Sequence, residues 1–244
     1  MMLRQRSSRA ADPNVAAVAA LIGDPVRARM LLAVLDGAAL PATELAYRGG
    51  ASPQAASMHL RKLVEGRLLS VAPSGRQRRY RLASREVAHA IEALLSVAPP
   101  VRIMALAQGL SMERLRAART CYDHLAGRLG VAVADALIDR GALRMRRGEF
   151  LVTAQGERLF GGLGIDIRAL RVARRAFARA CTDWTERRPH LAGSLGKALL
   201  DRFIADTWIV RSSVDRSVRL TPRGERALGR LLGVHTWMPS STSP

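Results

Sequence analysis

Two stretches, HLAGRLGVAVADALIDRGAL (residues 124–143) and HLAGSLGKALLDRFIADTWI (residues 190–209), align at an offset of 66 residues. His124/His190, Leu125/Leu191, Gly127/Gly193, Leu129/Leu195, Gly130/Gly196, Asp135/Asp201 and Ile138/Ile204 correspond. Downstream, LVTAQGERL (residues 151–159) and RLTPRGERA (residues 219–227) align at an offset of 68, pairing Thr153/Thr221, Gly156/Gly224 and Glu157/Glu225. An internal repeat of about 45 residues restricts the fold more than any other feature, because so short a unit must bury its apolar face against its neighbour. Each copy reads helix, turn, hairpin, helix, with Thr153 and Thr221 as N-caps of the closing helices. The copies span about 121–165 and 181–234, as winged-helix-like units around one shared core, with Asp166–Cys181 expected to form a connecting helix.

The N-terminal part is punctuated differently. Asn14 is a plausible N-cap for a first helix that ends at Gly23. Asp24 then caps a helix with Pro25 at its first position, carrying Val26, Met30, Leu31, Val34 and Leu35 on one stripe. A short helix precedes Gly49–Gly50, and Ser52–Pro53 opens another that Gly66 closes. The period then shortens through LLSVAPSGRQRRYRL, a hairpin signal, before a helix that starts at Ser84 and stops short of Pro99–Pro100. This order is that of a winged helix-turn-helix over residues 14–98, after a basic arm, residues 1–13, expected to be disordered. The proline pair sets the expected boundary to a C-terminal effector and dimerisation domain, residues 101–236. The fold class is therefore mainly α with small β-hairpins.

Composition agrees. Aromatic residues are 4% against 48% hydrophobic overall, so the cores rest on Ala, Leu and Val. No apolar run reaches membrane-spanning length, and MMLRQRSSRAADP lacks the apolar segment of a secretory signal, so a cytoplasmic protein is expected. The net charge of +19 suggests a polyanionic partner, although a ratio of 37 Arg to two Lys reflects genome composition in part. Placement matters more than the total. The helix after Ser52 offers Ser52, Gln54, Ser57, His59, Arg61 and Lys62, side chains able to read base edges or hold phosphate; the hairpin tip offers Arg76, Gln77, Arg78 and Arg79. A basic hairpin in solvent is the plain alternative.

LIGDPVRARMLLAVLDG, TELAYRGGASPQAASMHLRKLVEGRLLSV and GRQRRYRL together resemble the ArsR/SmtB family of bacterial winged-helix repressors over roughly residues 15–97. The resemblance implies a homodimer on an inverted-repeat operator in double-stranded DNA, released when an effector binds. Two departures stand out. Members that sense metal beside the recognition helix carry thiols where this chain has Glu44–Leu45–Ala46–Tyr47–Arg48. The last helix offers His89, Glu86 and Glu92, without the second histidine of the zinc-binding members. The extra length beyond the family's usual end must carry what distinguishes this chain.

Both cysteines lie there. Cys121 and Cys181 each precede a repeat histidine, and a pseudo-twofold axis would bring Cys121, His124, Cys181 and His190 together. Two thiolates and two imidazoles suit zinc, and thiolates also suit As(III), cadmium or Cu(I). Asp123, Asp183 and Glu186 are close in sequence, and Arg119, Arg179, Arg187 and Arg188 would favour thiol oxidation. Helix packing, with the glycines allowing close approach, is the structural reading; an organic pocket lined by Phe177, Trp184, Trp208 and Trp237 is another. No Gly-rich phosphate loop, nucleophile elbow or zinc-protease motif is present, so no enzyme is expected. The rivals are a nonspecific architectural DNA binder and a metal-independent regulator with a structural C-terminal half.

Overall fold

The computed structural model describes residues 13–75, 77–99 and 106–234. Arg76, Pro100 and Trp237, and the N-terminal arm except Pro13, lie outside them. The chain divides into two compact units, Met1–Val34 with Ala39–Ala83, and Leu35–Ala38 with Ser84–Pro244. Among the described residues no helix is long and apolar enough to cross a membrane.

The first unit runs α1 (Val15–Ile22), α2 (Pro25–Ala33), β1 (Leu40–Pro41), α3 (Ala42–Gly49), α4 (Pro53–Glu65), β2 (Leu69–Ser74) and β3 (Gln77–Leu82). Helices α1, α2 and α4 begin where side-chain oxygens satisfy free backbone donors. Asn14 accepts from the Ala17 amide at 3.0 Å, Asp24 from Arg27 at 2.9 Å and Ser52 from Ala55 at 3.3 Å. Met30, Leu31 and Val34 meet Leu45, Ala56, Leu60 and Leu63 in the core. The wing pairs Leu69 with Leu82 and Ser74 with Gln77. A two-residue strand that sequence patterning does not mark, β1, pairs Leu40 with Tyr80 on the other edge of β3. The unit is a winged helix-turn-helix.

The second unit begins with α5 (Arg85–Val97), capped by Ser84, and α6 (Leu106–Ala117). The proline pair had suggested that α5 closes the winged helix. Its buried Glu92 instead pairs with Arg216, so α5 packs as part of the C-terminal unit.

The repeat follows. Its first copy is β4 (Arg119–Cys121), β5 (His124–Ala126), α7 (Gly127–Asp139), β6 (Leu143–Arg146), β7 (Glu149–Val152) and α8 (Ala154–Gly162). After α9 (Ile167–Arg171), the second copy is β8 (Arg179–Thr182), β9 (Pro189–Ala192), α10 (Gly193–Ala205), β10 (Ile209–Arg211), β11 (Val218–Leu220) and α11 (Pro222–Leu232). The closing helices are capped as expected, Thr153 accepting from Gly156 and Thr221 from Gly224. Leu125, Leu129, Leu137, Phe150 and Phe160 of one copy share a cluster with Leu191, Leu195, Leu199, Phe203 and Leu228 of the other.

Two expectations need correction. The histidines do not open helices; each sits on the return strand of a short hairpin, three residues before its helix begins. The expected connecting helix over 166–181 stops at Arg171. The chain beyond it is drawn out because the carbonyls of Ala176 and Phe177 accept the amides of Ser194 and Leu195, the free donors at the start of α10.

The copies exchange hairpins. Glu149 of β7 pairs with Arg179 of β8, merging β6–β7 and β8–β9 into one four-stranded sheet. Reciprocally, Ser217 bridges to Arg119 beside β4. The Phe150 amide donates to Ala178 and the Val218 amide to Ala118, each at 3.0 Å. These contacts relate the copies by a pseudo-twofold operation.

Gly130 and Gly196 make that arrangement possible. A Cβ on Gly196 would lie 2.3 Å from the Leu191 carbonyl oxygen and 3.3 Å from the His124 Cβ; one on Gly130 would lie 2.6 Å from Leu125 O. The obstruction is backbone, which cannot swing aside. Gly196→Ala is expected to destabilise the C-terminal unit by about 3 kcal/mol, an overpacking cost at the upper end of its usual range. Thermal unfolding checks this, and an unchanged melting temperature would show that the helix has room to shift.

Candidate metal centre and nucleic-acid interface

Strand pairing places the four repeat residues. Cys121 faces His124 across β4–β5, and Cys181 faces His190 across β8–β9. The strands β5 and β9 lie against each other at the pseudo-twofold, so the two pairs meet. One ligand atom from each of Cys121, His124, Cys181 and His190 lies within 4.8 Å of every other. The sulfurs are 3.9 Å apart and the two Nε2 atoms 3.1 Å apart. A tetrahedral zinc ion with ordinary bond lengths requires edges of about 3.8 Å between sulfurs and about 3.4 Å between nitrogens. Both separations fit one ion.

Carboxylates stand behind both rings. His124 Nδ1 is 3.4 Å from Asp123 Oδ1, and Arg175 holds the other oxygen of that carboxylate at 2.8 Å. His190 Nδ1 is 3.8 Å from Asp183 Oδ2 and has no hydrogen-bond partner of its own. A carboxylate hydrogen-bonded to Nδ1, as Asp123 is to His124, fixes an imidazole with Nε2 free to ligate. Two buried Nε2 atoms aimed at each other, with both sulfurs beside them, form a donor set that can share one cation.

Asp183 also organises the backbone. It is wholly buried, accepting from Arg119 Nη2 at 2.9 Å, the Gly127 amide at 2.7 Å and Thr185 Oγ1 at 2.6 Å. Arg119 is itself fully buried, its guanidinium over the Trp184 ring. Burial pushes the Asp183 carboxyl up, but Arg119 and the hydrogen bonds outweigh it and hold the group below the usual range. Asp123 is held low in the same way, against burial, by His124 and Arg175.

The sulfurs divide the labour. The hydrogen bond to Cys181, together with burial, raises the Cys121 thiol. The same bond, with His124 and His190 alongside, favours the Cys181 thiolate against the cost of burial. Burial lowers His190, whereas for His124 the hydrogen bonds to Asp123 and Cys181 overcome burial and raise it. Two thiols and two imidazoles thus sit together, the proton held more tightly at Cys121 than at Cys181.

Sequence reasoning named the four converging residues and, as neighbours in sequence, Asp123, Asp183 and Arg119, but not the Arg119–Asp183 pairing behind them. Arg119 and Asp183 belong to a second correspondence, R-x-C-x-D at residues 119–123 and 179–183, at an offset of 60. The turn between cysteine and histidine is six residues longer in the second copy, which conceals this register. Of the other arginines cited, Arg179 contacts His89 at 3.3 Å, Arg188 pairs with Asp135 and Arg187 reaches the Ser96 carbonyl. Trp208 packs tilted against Phe203, 5.0 Å between ring centroids, as core packing.

The other set of site residues lies on the first unit. Gln54, Arg61 and Lys62 of α4 are exposed, opposite the buried Ala56, Leu60 and Leu63. Ser52 is spent as N-cap, and Ser57 donates to the Pro53 carbonyl at 2.9 Å. His59 departs from the expected outward face: its Nδ1 lies 3.5 Å from Arg27 and 3.7 Å from Asp24, because its position on α4 turns it toward the α2 N-terminus. Arg78 and Arg79 are exposed on the wing, Arg79 donating to the Ala39 carbonyl.

A helix with an apolar inner face and a polar outer one, followed by a basic wing, defines a winged helix-turn-helix DNA-binding protein. Residues 22–72 match the family model described as a helix-turn-helix domain. Over 223 residues the chain is 45% identical to YdfF of Bacillus subtilis, described as an uncharacterized HTH-type transcriptional regulator, covering 91% of this chain and 99% of that one. The chain belongs to the HTH-type transcriptional regulators. Solved structures similar to part of it include the cadmium metal-sensor CMTR from Mycobacterium tuberculosis, 34% identical over 37% of this chain and 94% of that one, TM-score 0.31. HlyU from Vibrio cholerae is 29% identical over 32% and 85%, TM-score 0.31. The ArsR/SmtB likeness drawn from the N-terminal motifs is in keeping with the matched segment, which contains DPVR and the recognition helix.

Proposed function

We propose that the protein is a cytoplasmic, dimeric repressor that binds an inverted-repeat operator through α4 and the wing, and that a thiophilic divalent cation at Cys121, His124, Cys181 and His190 governs its DNA affinity. The convergence of those four ligand atoms within 4.8 Å carries the effector half of this reading. The even split of sulfur and imidazole donors favours zinc or cadmium over As(III), which takes thiolates in preference to imidazoles. When bound, the ion supplies charge and a fixed tetrahedron; the chain supplies orientation through Asp123. A route outward exists in α5, where His89 contacts Arg179 and Glu92 pairs with Arg216, whose carbonyl accepts the amide of Thr120 beside Cys121. Only Ala83 and Ser84 separate the end of β3 from the start of α5.

The test is elemental analysis of the purified protein, followed by binding to the DNA upstream of its own gene with and without metal. One zinc or cadmium per chain with an affinity that changes on chelation supports the proposal. A bound ion whose removal leaves DNA affinity unchanged would mark a structural site. Sequence-independent coating of DNA in a footprint would favour an architectural role instead. On the DNA side, Arg61→Ala and Arg78→Ala are each expected to weaken operator binding about tenfold or more. A base contact relaxes specificity at one position, whereas a phosphate contact lowers the salt slope by about one. Wild-type affinity in both variants removes α4 and the wing from the interface.

A further inference from the structure

We propose that Cys181 and Cys121 form a hydroperoxide-responsive thiol pair: Cys181 meets the oxidant, Cys121 resolves it into a disulfide, and closure of that bond dismantles the metal site. The disulfide half rests on sulfur geometry alone; the release half rests on the metal reading above.

The two thiols are free, their sulfurs 3.9 Å apart, and they differ in access. Cys121 is 2% exposed. Cys181 is partly exposed and lines a cleft of about 360 Å³ with His89, Glu92, Arg179 and Thr182. A small polar oxidant can therefore reach one sulfur and not the other. A disulfide needs a separation of about 2.05 Å, so the sulfurs must close by roughly 2 Å, a movement of side chains and short strands. A purely structural zinc site has no need of an open cleft at one thiolate.

The chemistry balances. The Cys181 thiolate attacks one peroxide oxygen; the S–O bond forms, the O–O bond breaks, and the leaving oxygen departs as alcohol or water after taking a proton. The Cys121 thiolate then attacks the Cys181 sulfenic acid; the S–S bond forms, the S–O bond breaks, and hydroxide leaves and takes a proton from solvent as water. Two sulfurs give up two electrons to one peroxide. Both thiolate ligands are consumed, and two imidazoles alone hold zinc weakly. Reduction by a dithiol restores the pair.

The full-length protein, reduced and loaded with zinc, is titrated with hydrogen peroxide. Peptide mass spectrometry follows the Cys121–Cys181 cross-link, and a chromogenic chelator follows free zinc. The expected result is one zinc released per cross-link. In Cys121→Ser, dimedone is expected to trap a sulfenic acid on Cys181; in Cys181→Ser, Cys121 stays unlabelled. Cys121→Ala and Cys181→Ala repeat the measurement if a serine variant does not fold. The proposal is overturned by the absence of a cross-link at exposures that consume a free thiol standard, by labelling of Cys121 ahead of Cys181, or by a cross-linked protein that keeps its zinc. A protein that never binds zinc yet forms the cross-link defeats the metal reading and leaves the thiol pair standing.

Discussion

Replacing both Cys121 and Cys181 by serine is expected to take bound zinc from one ion per chain to none, with affinity falling by at least about a thousandfold. Structural zinc in protein sites is worth roughly 10–16 kcal/mol, and most of it comes from the thiolates. Serine keeps the volume of cysteine, and both positions lie on hairpins that pair through backbone hydrogen bonds. The variant should therefore fold, which circular dichroism verifies, so that lost binding reports lost ligands. Competition against a chromogenic chelator gives the number. Zinc bound at wild-type strength by the double variant would show that the ion sits elsewhere. Asp123 should have a smaller effect: Asp123→Asn is expected to weaken binding about 10- to 100-fold, because it loosens the hydrogen bond that orients His124.

The second large effect concerns stability. Asp183→Ala removes the partner of Arg119, two fully buried groups 2.9 Å apart. A guanidinium left without its counter-charge in the interior costs about 3–5 kcal/mol. The Gly127 amide and Thr185 hydroxyl lose their acceptor as well. For a unit of this size the melting temperature should fall by roughly 6–20 °C. The measurement belongs in the presence of a chelator, so that weakened metal binding does not add to it. Asp183→Asn keeps an acceptor for Gly127 and should fall between. An alanine variant melting within a degree or two of wild type would show that Arg119 finds water or another acceptor.

The winged helix was legible because its helix starts are written in side chains that act locally. Asp24–Pro25 and Ser52–Pro53 cap and open helices whatever surrounds them, and the wing announces itself by alternation. The two-residue β1 left no pattern, since its pairing partner is about forty residues away. In the C-terminal half, the repeat pointed to the four converging residues because the histidine positions recur, each with a cysteine upstream. Its histidines read as helix residues because HLAG runs without a break into the helix; the φ of +75° at Gly127 and +86° at Gly193 marks the actual change of direction. Arg119 read only as one of four arginines near the cysteines. Only its packing against Trp184 and Asp183 separates it from the rest. His59 was misjudged for a related reason: helical spacing states which way a side chain can point but not which neighbour has filled that side.

The exchanged hairpins carry a consequence for how the C-terminal half can be cut. Strand β7 ends its own hairpin and also supplies the edge on which β8 pairs, while Ser217 does the equivalent work beside β4. A fragment ending near Ile165 would carry one sulfur, one imidazole and an open strand edge where the second copy now sits. Open edges recruit whatever strand is available, including a second fragment. Half of this domain is therefore not a miniature of the whole but a sticky monomer that completes itself in trans, as one partner of a swapped dimer does. The intact chain has joined those two partners into one polypeptide and so has no such edge at that junction.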